Sequence, residues 1–184
     1  MLPTLTVDDI PRDIPEVSIF NYNKNKTIYF NPRKTNGLVH FLAYFRVPFV
    51  PDLGIPFIPT FSGAVTKLGA RGMNHEQLAE KIELYTGGIF VTLNIIPDVS
   101  DMSKYEIGLT LSSSCLERNF AKMMDLVDAV VTEYNLDANN AYLRSLLEQD
   151  ALAFSNALTD DAPHFARTSS AKKLSDALVM KIYI

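Results

Sequence analysis

Hydrophobic and polar positions change period several times along this chain, and each change marks an element. Residues 38–47 alternate: Val39, Phe41, Ala43 and Phe45 share one face, and Leu38, His40, Leu42, Tyr44 and Arg46 share the other. That two-residue period is a strand whose wholly apolar face has to meet helices. Ile89, Val91, Leu93 and Ile95 repeat the pattern over residues 89–96, and Tyr105, Ile107, Leu109 and Leu111 repeat it over 104–112, opposite Glu106, Thr110 and Ser112. The polar loop between these two strands predicts an antiparallel hairpin. Shorter strands are expected at 17–22 and 27–30, with a turn at 23–26, and Asn36-Gly37 reads as a tight turn because both residues tolerate positive φ.

Helical spacing governs the rest. Pro56 and Pro59 suit a first helical turn, where amides lack intrahelical partners, so a helix is expected from 56 to 68, closed by Gly69 with Gly72 loosening the break. Asn74 and Gln77 spell a capping box for a helix reaching Tyr85, whose buried stripe is Leu78, Ile82 and Tyr85 while Glu76, Glu80, Lys81 and Glu83 face water. Gly87-Gly88 then turns the chain into the next strand. Ser114 and Glu117 spell a second capping box, predicting a helix from Cys115 to Tyr134 with Leu116, Phe120, Met123, Val127, Val130, Val131 and Tyr134 inward. Asp137 is expected to cap a helix over 138–157 with Leu143, Leu146, Leu147 and Phe154 inward. Pro163 lies in the first turn of a short helix reaching about Lys172, and a last helix begins near Ser175. No internal repeat is visible.

The expected fold class is α+β: a largely antiparallel sheet covered on one face by helices, with extra C-terminal helices. The expected division is an extended linker tail at 1–16, rich in proline and aspartate, an α+β unit at 17–158, and the start of a helical segment at 159–184. The run ALVMKIYI at 177–184 reads as a cut through a longer polypeptide, because exposed apolar ends aggregate.

Composition narrows the function classes. The 184 residues are 47% hydrophobic and 21% charged, a globular balance. A net charge of −4 offers no basic footprint for nucleic acid. No apolar run approaches the roughly 20 residues that cross a bilayer, so neither nucleic acid nor membrane is an expected partner. No secretion signal is spelled, and Asn25-Lys26-Thr27 reads as a turn rather than a glycosylation site. The single cysteine, Cys115, has no disulfide partner and points to a reducing compartment. At a helix start it reads as a small core residue, with a dipole-activated thiol as the sharper alternative.

None of the possible reactive groups assembles into a motif. The histidines are His40, His75 and His164. His75-Glu76 begins a zinc-binding helix pattern, but Ala79 stands where the second histidine belongs, and His-x-x-Glu-His is absent. All three histidines read as structural. Ser112-Ser113-Ser114 and Asp160-Asp161 read as helix caps. The glycines at 69, 72, 87 and 88 match no phosphate loop, and Gly87-Gly88 precedes a strand rather than a helix. No residue is assigned as catalytic, cofactor-binding or metal-binding: the residues alone give an α+β domain without a self-contained active site.

The text IPFIPTFSGAVTKLGARGMNHEQLAEKIELYTGGIF (55–90) resembles the pitrilysin (insulinase-type) zinc metallopeptidase family, in its presequence-protease and falcilysin branch. TNGLVHFLAYF, DIPRDIPEV and HFARTSSAKKLSDAL resemble the same branch, so the similarity covers nearly the whole chain. The resemblance implies the third of four α+β units, at the opening of the second half of a peptidase that closes around unfolded peptide. It implies zinc held in the first unit by residues outside this chain, and an organellar location, in the mitochondrial matrix or a plastid-like compartment, with cytoplasm or a digestive vacuole as alternatives. The implied partners are the other domains of the polypeptide and unstructured peptides. A non-enzymatic relative, of the processing-peptidase or respiratory-complex core-subunit type, is the alternative.

Overall fold

The computed structural model describes residues 9, 18–21, 28–47, 57–101, 104–136 and 140–171. The expected linker at 1–16 (residue 9 apart), the turn at 23–26, Pro56, the Asp137 cap and the final helix near Ser175 lie outside the described residues. Two compact units result, residues 1–36 and 37–184. In the first, β1 (Phe20–Asn21) pairs antiparallel with β2 (Tyr29–Phe30), Phe20 opposite Phe30.

The second unit holds a three-stranded antiparallel sheet of β3 (Leu38–Arg46), β4 (Ile89–Pro97) and β5 (Tyr105–Leu116), in the order β3-β5-β4. Asn36 and Gly37, both at positive φ, turn the chain into β3 as the dipeptide predicts. Register brings Val39 opposite Cys115, Phe41 opposite Ser113 and Ala43 opposite Leu111, while Ile89 and Val91 meet Ser113 and Leu111 from the other side. The odd-numbered residues of all three strands therefore share one face. Helices α1 (Ile58–Ala64), α2 (His75–Tyr85) and α3 (Phe120–Thr132) supply the other half of that core, which joins Val65, Leu78 and Ile82 to Leu111, Met123, Val127 and Val130. Phe45, expected inward, is partly exposed and lines an open apolar cavity of about 120 Å³ with Phe61, Val91, Leu109 and Tyr134.

Three expected boundaries move. Helix α1 ends at Ala64 rather than 68: Val65 and Thr66 are β-branched, poor helix formers, and the chain turns through them to Gly69 at φ +93°. A side chain at Gly69 would meet the Met73 carbonyl at 2.5 Å, so the stop needs glycine twice over. The larger correction lies at Ser114-Cys115, where the spelling predicts a capped helix. Strand β5 instead runs to Leu116, a 3₁₀ turn follows at Glu117–Asn119, and α3 starts at Phe120. Pairing with both neighbours satisfies the backbone of the serines, and Ser113 donates its buried hydroxyl to the Gly88 carbonyl at 2.8 Å. With the helix starting five residues later, its buried arc is Met123, Leu126, Val127, Ala129 and Val130, while Leu116, Phe120, Val131 and Tyr134 are partly exposed.

The capping box of α2 forms as spelled: Gln77 N donates to Asn74 Oδ1 at 2.8 Å, and Asn74 N to Gln77 Oε1 at 3.0 Å. Between α1 and α2, Arg71 adopts φ +48° and clasps the end of α3. Its guanidinium donates to Glu133 at 2.8 Å, Asp125 at 2.7 Å and Asp128 at 2.6 Å. Those carboxylates raise its pKa further above an already high value. Its amide donates to the Glu133 carbonyl, and Asn135 N to the Gly69 carbonyl.

Helix α4 (Asn140–Asp160) docks through Leu146, with Tyr142 and Leu143 beside it, onto Ala64 and Leu68. The His75 ring stacks on Tyr142 at 4.1 Å between centroids. Leu147 and Phe154, expected inward, are exposed, and Phe154 meets Phe165 of α5 (Ala162–Ala171) edge-on at 5.8 Å. Beyond Leu146 the long helix rests on α5 rather than on the sheet layer, so its stripe has little to bury against. Pro163 sits in the first turn of α5, as expected.

Leu111→Ala, which empties the centre of the core, should destabilise the chain by about 2–5 kcal/mol in denaturant titration. Arg71→Gly should lower the melting temperature less than Arg71→Ala. Both lose the clasp, but only alanine keeps the cost of positive φ.

Candidate peptide-facing sheet surface

The even-numbered residues of the three strands form the face that no described helix covers. Alternation alone puts them there, and register sets them in rows: Leu42–Ser112–Phe90, Tyr44–Thr110–Thr92 and Arg46–Gly108–Asn94. The central strand contributes small outward groups, Gly108, Thr110, Ser112 and Ser114, whereas its neighbours contribute large ones. Leu42 and Phe90 are 69% and 59% exposed. The result is a shallow trough with a hydroxyl-lined floor and apolar walls.

Two glycines seat the aromatic rings. A side chain at Gly108 would collide with the Tyr44 ring, which therefore lies across the central strand. A side chain at Gly88, at φ +113°, would collide with the Phe90 ring. At this end Arg46 pairs with Glu106 at 2.8 Å, and Asn94 Nδ2 donates to Thr110 Oγ1 at 2.6 Å. Burial, then the hydrogen bond and charge of Glu106, raise the Tyr44 phenol above its ordinary pKa, against a smaller lowering by Arg46. The loop beyond is tied by Asp98, whose carboxylate accepts from the Ser100 hydroxyl, the Ser100 amide and the Asp101 amide and is held below the usual range. Because that pKa is lowered on folding, the loop's contribution is present above the ordinary carboxylate pKa and is lost as pH falls through the lowered one.

The structure disperses the sequence's reactive residues. His40 lies on the outer sheet face opposite Ser114, His75 opens α2, and His164 lies in the first turn of α5 beside Phe165. Among the described residues no three His, Cys, Asp or Glu side chains converge as metal ligands, so these residues do not fit a zinc centre. Cys115 is a core residue of β5, not the head of a helix, and burial raises its thiol pKa. The Asp161 carbonyl accepts the first amides of α5, from His164 and Phe165. Gly87 and Gly88 serve backbone geometry: a side chain at Gly87 would press on Ser114 Oγ at 2.8 Å. Sequence reasoning does not single out the trough. Its only signal there is the small-residue run on alternate positions of β5, which acquires meaning once the neighbouring strands are in register.

With its sulfur in the core, Cys115 should resist an aromatic disulfide reagent in native buffer and react in full after unfolding by urea. Labelling at free-thiol rates before unfolding would contradict its place in β5.

Comparison with known proteins gives the family. The family model for the region associated with peptidase M16, subfamily C, matches residues 1–181. The mitochondrial presequence protease of Danio rerio is 35% identical over 176 residues, covering 95% of this chain. Its Xenopus tropicalis counterpart is 33% identical over 177 residues, covering 96%, and that of Mus musculus is 32% identical over 176 residues, covering 95%. The chain spans only 17% of the length of each of these relatives. A match along almost the entire chain, together with relatives above 30% identity, places it in this peptidase-associated family, within the presequence protease branch of the M16 peptidases.

Proposed function

We propose that this chain is a non-catalytic domain from the C-terminal half of a zinc-dependent metalloendopeptidase that degrades unstructured peptides, targeting presequences among them. Its uncovered sheet face forms part of the wall of a peptide-enclosing chamber. The zinc is held by residues outside this chain, since the three histidines here sit on separate elements. Relatives carrying the name mitochondrial presequence protease support an organellar location, in the mitochondrial matrix or a similar compartment.

The observation that carries this reading is the match to a peptidase-associated family over residues 1–181, in a fold that leaves one mixed apolar and hydroxyl sheet face open. Such a face can take extended peptide on its side chains, and the edges of β3 and β4 can add backbone hydrogen bonds. The 184-residue chain alone should bind no stoichiometric zinc and cleave no fluorogenic peptide. The full-length polypeptide should do both and lose turnover to a chelator. Zinc analysis alongside the peptide assay checks this, and turnover by the chain alone that persists through further purification would overturn it.

A further inference from the structure

We propose that the trough over Thr110, Ser112 and Ser114 is a substrate subsite. It seats an apolar side chain between Leu42 and Phe90, and Glu106 receives a cationic side chain farther along the same extended peptide. The inference rests on the chamber reading above and gives it a residue-level specificity. Three features carry it.

The first is shape. Neighbouring strands lie about 4.8 Å apart, so side chains on β3 and β4 face each other across about 10 Å of small-residue floor, room for one apolar side chain. Tyr44, lying across Gly108, stops the trough at one end. The second is charge. Among the outward residues of the three strands Glu106 is the sole carboxylate, and its formal counter-charge is Arg46. The two are not equivalent. The Glu106 side chain is 34% exposed and engages Tyr44, whereas that of Arg46 is 69% exposed and mostly solvated. A solvated ion pair holds its mobile partner weakly, so an incoming guanidinium replaces Arg46 at a carboxylate that stays in place.

The third is the match to the peptides in question. Targeting presequences are amphipathic, rich in arginine and poor in acids, and the relatives are named for acting on them. Ser112 and Glu106 are six residues apart on one strand, about 20 Å at strand rise. An extended peptide lying along β5 therefore places its arginine about six residues from its apolar anchor.

The test uses the full-length polypeptide with fluorogenic peptides carrying one leucine and one arginine at varied spacing, and a matched set with glutamine for arginine. Ser112→Trp, filling the floor, should raise KM about tenfold for all leucine peptides with kcat within about twofold, the pattern of lost uniform binding. Glu106→Gln should raise KM about fivefold for arginine peptides near the six-residue spacing and leave the glutamine set unchanged. Melting temperatures of both variants check that the fold is intact. If a variant does not fold, a photo-crosslinking residue at Leu42 replaces it: capture of the leucine peptide, competed by unlabelled peptide, supports the subsite. Crosslinking at Ile96 with none at Leu42, or unchanged KM in both folded variants, overturns the subsite and leaves the chamber reading standing. A peptide that is turned over yet crosslinks at neither position overturns both.

Discussion

Strand β5 is the constraint on which the larger unit depends. It is hydrogen-bonded on both sides, to β3 along its C-terminal part and to β4 along almost its full length. Its inward residues Leu111, Ser113 and Cys115 are buried at the centre of the helix-covered core. A strand paired on both edges has no backbone group left to satisfy elsewhere, and this frees its side chains to differ by face. Leu111 and Cys115 pack against α2 and α3, while Thr110, Ser112 and Ser114 stay small and hydroxylated on the other side. One strand thus supplies both the middle of the core and the floor of the exposed face.

Much of this was legible in the sequence, because the deciding signals are local. Alternation gave β3 and β4 and the pairing of β4 with β5, the Asn74–Gln77 box gave the start of α2, and Asn36-Gly37 gave the turn into β3. The failures share a cause. Ser114 and Glu117 spell a helix cap whatever surrounds them, but the competing partners are β3 and the Gly87-Gly88 turn, which are distant in sequence. The exposed side of Leu147 and Phe154 was illegible for the same reason: helical period gives a stripe, and only tertiary placement says whether anything covers it.

The face read here as functional was half legible. The list of outward residues on β3 follows from period two, but a trough requires knowing that a run of small residues lies between two strands of large ones. Arg71 makes the same point. Nothing near it in sequence announces that its guanidinium serves three carboxylates on and just beyond α3. Its positive φ, unusual for a residue other than glycine, is tolerated because that network and the backbone bonds to Glu133 and Asn135 hold the loop in place.

The pairing of β3 with β5 also bears on how the chain acquires its structure. Strands β4 and β5 are joined by a short loop and can zip together early. Residues paired between β3 and β5 are separated by 62 positions at Arg46–Gly108 and by 78 at Leu38–Leu116. The entropy of closing so long a span has to be met before those contacts stabilise anything, which makes the docking of β3 the slow event. Until it docks, one edge of the central strand stands open to whatever extended chain arrives first, and the order of assembly becomes a hazard that the native sheet no longer shows.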